Sequence, residues 1–350
     1  MSDQGLYDQV AAKTLSESLH LQKGETLTIE TWSNGLPLAK RFLLEARRLG
    51  AAAILLLEDE PTYIEGLSLT PKDALGKMGR HEYGLLAGSD AYVFIPGPPI
   101  GAYAPKLNRQ AVADSTRYNA SWYEAARKAK LRGARLPFGF VGPDYSKLVG
   151  KKPEEIARNQ LKAALVDLKS LGARGRAISE RMQDGEVAML RTGKEKLEFS
   201  LKGEVVVEDG VVDSSDVESG ENVTYIPPGL VSKQVDPSSA TGSLSISPAV
   251  TRLGLLKDAR LQFKGGKLIK WQSKGSRGLL AELIEAVEPE KRALSLVTIG
   301  LNPSMKYENG QDRMVAGAVS VSGFGFSGIV RKGSLSLAGK PLVQQGRLPK

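Results

Sequence analysis

Residues 23–57 read KGETLTIETWSNGLPLAKRFLLEARRLGAAAILLL, and this stretch decides the fold. Lys23-Gly24 closes a preceding amphipathic stretch at 5–21, and residues 26–31 alternate as a strand. Ser33-Asn34 suits a helix start, with Pro37 in the first turn, where its missing N–H costs nothing. Ala39, Phe42, Leu43, Ala46 and Leu49 repeat at the spacing of one helical face, and Gly50 ends it. Residues 53–57 then form a continuous apolar run, the pattern of a strand covered on both faces. A strand, a helix and a buried strand in that order predict a parallel sheet wound with helices.

The pattern continues outward. Residues 91–95 read as a third strand broken by Pro96-Gly97-Pro98-Pro99, residues 114–131 as a helix, and 135–141 as a fourth strand. A long helix is predicted over 153–170, and Leu171–Gly175, with two glycines, is the predicted boundary. Beyond it short β-like segments dominate: 186–191, 196–201, 204–208, 223–226, 293–300, 315–322 and 334–337. Lys264-Gly265-Gly266 joins two of them as a hairpin, and one helix interrupts at 277–287. The expected architecture is a doubly wound α/β domain over 1–173 and a mainly antiparallel, β-rich domain over 174–350. The 350-residue length fits two domains.

Composition narrows the chemistry. The chain has no cysteine, so thiolate metal sites, disulfides and cysteine nucleophiles are excluded. It has two histidines, His20 and His81, too few and too far apart in sequence for a multi-imidazole site. No apolar run approaches bilayer length and no secretory leader is visible, so a cytoplasmic protein without membrane association is expected. The acidic run Glu58-Asp59-Glu60 after a strand would suit magnesium, but a solvated loop is the plainer reading. Gly323-Phe324-Gly325-Phe326-Ser327-Gly328 matches a dinucleotide fingerprint in letters only. No helix start follows it, so it reads as a loop.

The net charge of +9 is unevenly spread. Residues 101–175 carry 15 basic and 6 acidic groups, a local excess equal to that of the whole chain. Such a stripe suits a polyanion. The candidate nucleic-acid contacts are Arg117, Arg127, Lys128, Lys130, Arg132, Arg135, Lys147, Lys151 and Lys152, with Lys264, Lys267 and Lys270 adding cations on the hairpin. Tyr118, Trp122 and Tyr123 lie among them, and could either stack bases or pack the helix onto the sheet.

The second half carries a resemblance. Residues 222–242 (NVTYIPPGLVSKQVDPSSATG), 293–303 (ALSLVTIGLNP) and 312–324 (DRMVAGAVSVSGF), with the ending Gly339-Lys340-Pro341 and Gly346-Arg347, resemble in order and spacing the thermophilic metallo-aminopeptidase family, the aminopeptidase T and S group. The Lys23-Gly24-Glu25 opening is similar to that family's as well. The resemblance implies a dimer whose β-rich domain holds two metals through glutamates, histidines, a tyrosine and an aspartate. Carried over by motif, those positions fall on residues that differ. Leu230 stands for one glutamate and Leu296 for another; Arg313 replaces the acid after Asp312, and Ser320 replaces a histidine. No counterpart of the closing His-x-Asp exists near 329–331. Leucine offers a cation no lone pair, and a serine hydroxyl is a poor zinc ligand. The resemblance therefore implies a fold without its metal centre, with no cofactor, and a homodimer that acts by binding; the basic tract at 101–175 makes RNA or the ribosome the first partner expected. Two other readings stand beside it. One is an aminopeptidase with shifted ligands or another hydrolase at the old site, drawing on Asn302, Tyr307, Asp312 and Ser320. The other is a small-ligand module using the α/β crevice.

Overall fold

The computed structural model describes residues 3–97, 109–251, 254–308, 312–323 and 325–349. Along the chain run α1 (Asp3–Lys13), β1 (Thr26–Trp32), α2 (Leu36–Arg48), β2 (Ala52–Glu58), α3 (Glu60–Leu69), α4 (Arg80–Ala87), β3 (Ala91–Ile95), α5 (Arg109–Ala129), β4 (Arg132–Arg135), α6 (Pro143–Val149), α7 (Pro153–Ala164) and α8 (Leu168–Ser179). Then come β5 (Val187–Thr192), β6 (Glu195–Glu208), α9 (Ser214–Ser219), β7 (Val223–Tyr225), β8 (Leu230–Val235), β9 (Thr241–Ile246), β10 (Ala249–Thr251) and β11 (Gly254–Leu256). The chain finishes with β12 (Ala259–Lys264), β13 (Lys267–Gln272), α10 (Arg277–Glu285), β14 (Leu296–Gly300), β15 (Val319–Ser322), β16 (Ser327–Val330), β17 (Ser334–Leu337) and β18 (Lys340–Val343).

Two units form. The first contains Met1–Lys147, Lys152–Leu165 and Gly210–Pro227; the second contains Leu148–Lys151, Val166–Asp209 and Pro228–Lys350. A single cut at 173/174 does not describe this division. Residues 171–175 lie inside α8, not in a linker. Their glycines serve close packing: a Cβ on Gly175 would stand 2.4 Å from a methyl of Val207. The predicted helix over 153–170 is two helices, because Asp167 starts a new one by accepting from the Lys169 and Ser170 amides at 3.1 and 3.3 Å.

The first unit holds a five-stranded parallel sheet in the order β2-β1-β3-β4-β7. Residues 223–225, expected in the β-rich half, supply its last strand. One face, with Leu27, Ile29, Val93 and Ile95, packs against Val10, Leu38, Phe42 and Leu161 of α1, α2 and α7. Phe42 is fully buried there, a contribution of about 2–3 kcal/mol. The opposite face, with Tyr92 and Phe94, packs against Leu86, Trp122, Ala125 and Ala126 of α4 and α5. The doubly wound expectation therefore holds.

One detail differs. The apolar run 53–57 was expected to be covered on both faces, yet β2 is the sheet's edge, with Ile54 48% and Leu57 54% exposed. Continuous apolarity does not by itself distinguish a central strand from an edge strand.

The second unit is built on an eleven-stranded sheet along β13-β12-β9-β6-β8-β14-β15-β16, with β5, β17 and β18 attached, and all its pairings are antiparallel. The predicted strands 196–201 and 204–208 are one strand, β6, whose pairing with β8 shifts between Leu201 and Val205. The hairpin at Lys264–Lys267 forms as predicted. Gly265 and Gly266 take φ of +54° and +78°, and a Cβ on Gly266 would fall 1.7 Å from the Pro237 carbonyl oxygen. The glycines at 323 and 325 lie between β15 and β16, in keeping with the loop reading. No helix among the described residues is long and apolar enough to cross a membrane.

Candidate functional site

Strand register decides what became of the expected metal positions. Leu230 begins β8 and faces Gly300 of β14, whereas Leu296 begins β14 and faces Gln234 of β8. The two leucines thus occupy opposite ends of one ladder, four residues or about 13 Å apart along the strands. Ser320 lies between them in level, opposite Thr298, and is buried. Arg313 lies in the turn Asp312–Met314 and is exposed. Antiparallel pairing thus sets Leu230 and Leu296 apart along the strands. The middle of the ladder carries hydroxyls instead, with Ser232 and Thr298 hydrogen-bonded at 2.8 Å.

The carboxylates nearby are already satisfied by protein cations. Asp312 is 1% exposed. It accepts from the Glu308 backbone N–H at 2.6 Å and from an Arg331 Nη at 2.6 Å. The Arg331 guanidinium also lies 4.7 Å from the centre of the Tyr307 ring. Glu308, 6% exposed at its side chain, pairs with Lys151 at 3.6 Å. Two acids therefore meet two bases, and a dication would have to displace them. Among the described residues no group of three or more His, Cys, Asp or Glu side chains is arranged to hold a metal. This donor set does not fit the dimetal centre that the resemblance implies.

The alternative catalytic candidates are also engaged elsewhere or isolated. Asn302 spends its amide on the Pro228 carbonyl at 2.8 Å, and its Oδ1 on the Ser304 and Met305 N–H groups at 3.0 and 3.2 Å. The Tyr307 hydroxyl is buried without a hydrogen-bond partner among the described residues. Burial, and then the Asp312 charge, raise its pKa. A phenol so placed is a poor source of phenolate.

The basic tract separates into different roles. Arg132 and Arg135 point to partners inside the first unit. Arg132 bonds Glu25 at 2.6 Å and the His20 carbonyl at 3.0 Å. Arg135 stacks 5.1 Å from the Phe94 ring centre and donates to the Tyr123 hydroxyl at 3.3 Å. Lys151 belongs to the second unit and serves Glu308. These three are half-buried and hold partners within the chain. Lys128 and Lys147 form exposed pairs with Glu124 and Asp144 at 2.7 and 3.5 Å, which a phosphate could replace at little cost. Arg117, Arg127, Lys130 and Lys152 are exposed.

A second basic surface escaped the sequence tally because strand pairing assembles it. Lys194 and Lys196, Arg260, and Lys270, contributed by the β5–β6 turn and by β6, β12 and β13, line a groove of about 440 Å³ with Gln262 and Gln272. Residues 194–196 and 260–270 lie too far apart in sequence for one charge window to show them as a single surface.

The first unit holds a site that sequence reasoning missed. A cavity of about 40 Å³ is lined by Glu30, Phe94, Tyr118, Trp122 and Arg135, among others. Glu30 of β1 faces Phe94 of β3 in register, and Phe94 faces Arg135 of β4. The Tyr92 hydroxyl donates to Glu30, and the Tyr118 hydroxyl donates to Glu82. Tyr92, Trp122 and Tyr123 meet edge to face, with ring centres 5.2 and 5.3 Å apart. Burial pushes the Glu30 carboxyl up to about 7, aided by the charges of Glu58 and Glu82 and opposed by the Tyr92 hydrogen bond. The glutamate inside a β-alternating run, Thr28-Ile29-Glu30, was the available signal: its register puts a carboxyl on a face that a helix covers.

That shift has a measurable consequence. A carboxyl that titrates higher folded than unfolded takes up a proton on folding, so stability falls as pH rises from 4.5 to about 7. Glu30→Gln should therefore stabilise the protein at about pH 8 by on the order of 1–3 kcal/mol and leave it nearly unchanged at about pH 4. Thermal melts of both proteins at the two pH values check this.

No protein-family model matches the chain, and no curated protein matches it. Solved structures do. Wild-type AmpT, an aminopeptidase T from Thermus thermophilus, superposes with a TM-score of 0.71 at 15% identity, over 100% of both chains. The 2,5-dihydroxypyridine dioxygenase of Pseudomonas putida KT2440 superposes with a TM-score of 0.64 at 13% identity, covering 100% of this chain and 98% of that one. The chain thus has a distant aminopeptidase-like fold. At such identities the likeness extends to the fold alone, and two different chemistries already share it.

Proposed function

We propose that this chain is a non-catalytic protein of aminopeptidase-like fold that works by binding, as a cytoplasmic homodimer whose ligand is RNA or a ribosomal surface. The observation that carries the non-catalytic part is the Asp312–Arg331 ion pair. A guanidinium occupies one carboxylate oxygen, and the Glu308 N–H the other, of the one aspartate that the resemblance preserves. Metal analysis of the purified protein, with an assay for release of amino-terminal residues, tests this part. Less than stoichiometric zinc, cobalt or manganese and no release are expected. A tightly held ion with turnover would establish the alternative, an aminopeptidase with shifted ligands.

Two sets of exposed cations support the polyanion reading: Arg127, Lys128, Lys130, Lys147 and Lys152 in the first unit, and the Lys194–Lys196–Arg260–Lys270 groove in the second. Contacts to phosphates release counterions, so binding should weaken steeply with salt. Ribosomal RNA titrated at about 50 mM and about 200 mM salt should show at least a tenfold loss of affinity. Charge reversal at Lys196 and Lys270 should lower both the affinity and the salt slope. Absence of binding at the lower salt ends the RNA reading.

The homodimer reading is supported by β2. An uncharged apolar run, Ala52–Leu57, forms a sheet edge exposed to water. Such edges are templates for strand pairing. A second copy of the same strand, related by a twofold axis, is complementary to it along its length.

A further inference from the structure

The cavity on the helix-covered face of the parallel sheet has a composition that specifies a ligand. The strand order reverses between β1 and β3, and ligands of wound parallel sheets bind at such reversals, beyond the carboxyl ends of the strands. Glu30 and Phe94, paired in register across that boundary, are the second- or third-last residues of their strands. The walls are aromatic, from Tyr92, Tyr118 and Trp122. Ring faces carry negative potential, and a carboxylate adds to it. Glu58 of β2 and Glu82 of α4 add two further carboxylates whose fields reach Glu30. Against these stands one cation, Arg135, and it is turned onto Phe94 and Tyr123. Glu30 forms no ion pair among the described residues, and its Oε2 takes only the neutral hydroxyl of Tyr92. A partly enclosed acid bordered by aromatic side chains, with no ion-paired cation among the described residues, is an arrangement that receives organic cations.

We infer that this cavity binds the positively charged head of a small organic amine, with Glu30 as its counter-ion and Tyr92, Tyr118 and Trp122 as its cage. A volume of about 40 Å³ admits an ammonium with one carbon, so the natural ligand is a molecule that ends in a primary ammonium group. The inference is independent of the RNA reading and of any metal chemistry.

Carbon-13-labelled methylammonium is the probe. With two heavy atoms it should bind no tighter than the low millimolar range. Its methyl signal should move upfield on saturation, because the ring faces shield it, whereas an ammonium paired with a surface carboxylate would not shift in this way. Glu30→Gln keeps the acceptor for Tyr92 but removes the charge, and should weaken binding by at least about tenfold. Glu17→Gln, on the exposed part of the first helical segment, should leave it unchanged. Affinity should rise from about pH 6 to about pH 8 as Glu30 ionises, in the company of Glu58, Glu82, Tyr92, Tyr118 and Arg135, the titratable groups that face it. Circular dichroism of each variant separates lost binding from lost folding. Equal binding by folded Glu30→Gln, no upfield shift at saturation, or equal affinity for acetate would overturn the inference.

Discussion

Replacing Arg331 by methionine is expected to be among the most destabilising single changes in the second unit, at about 3–5 kcal/mol. The reason lies in what remains behind. Asp312 has no exposure to water worth the name, and Arg331 is its charged partner at 2.6 Å. Methionine keeps most of the volume and a contact with the Tyr307 ring, so the loss reports the charge and not a cavity. Asp312 would lose its guanidinium partner, and a backbone N–H such as that of Glu308 does not replace a positive charge beside a desolvated carboxylate. The partial exposure of Arg331, 28% of its side chain, favours the lower end of the range. Adding Asp312→Asn to Arg331→Met should restore most of the stability, because no unpaired charge then remains. Urea unfolding gives the free energies, and hydrogen exchange of the β15 and β16 amides localises the loss to this unit. A single-variant loss below about 1 kcal/mol would mean that water reaches the pair, and the reading of the site as filled by a structural ion pair would fail.

The second large effect concerns association. Ile54→Lys together with Leu57→Lys should abolish the edge-paired dimer proposed above while leaving the melting temperature of the first unit nearly unchanged. Both side chains are about half exposed in the single chain, so charging them costs the fold little. In a paired edge they would stand beside the neighbouring strand, two on each protomer, and bring like charges together across the twofold axis. Association should weaken by at least about a hundredfold. Lysine on an edge strand is also the device by which soluble proteins discourage such pairing. Sedimentation equilibrium of the native chain and the double variant gives the answer. A native monomer at tens of micromolar would remove the edge-pairing proposal, as would a dimer that both lysines leave intact.

Much of the first unit was legible because its information is local. The spacing of Ala39, Phe42 and Ala46 places one helical face in the core, and the alternation of Leu27 and Ile29 with Thr28 and Glu30 orients β1. The Gly265-Gly266 hairpin was equally local, since its positive φ values are demanded by the two-residue turn itself. What escaped depended on long-range pairing. Residues 223–225 have no local feature that sends them to the parallel sheet; they go there because Gly133 leaves room for Val223, whose methyl lies 2.9 Å from where a Cβ would be. The glycines of α8 mimic a linker in sequence, yet Gly175 is required by the approach of Val207.

The site divides in the same way. The sequence by itself determined which donors exist: no thiol, two imidazoles, and leucine, arginine and serine where ligands were implied. Only the tertiary structure decided where they went. Antiparallel register set Leu230 and Leu296 at opposite ends of a ladder, turned Arg331 onto Asp312, and gathered four cations from two distant segments into one groove. It also brought Glu30 beneath a ring of aromatic side chains. Residue type is a property of one position, but burial and charge pairing are properties of several segments meeting, and only folding brings them together.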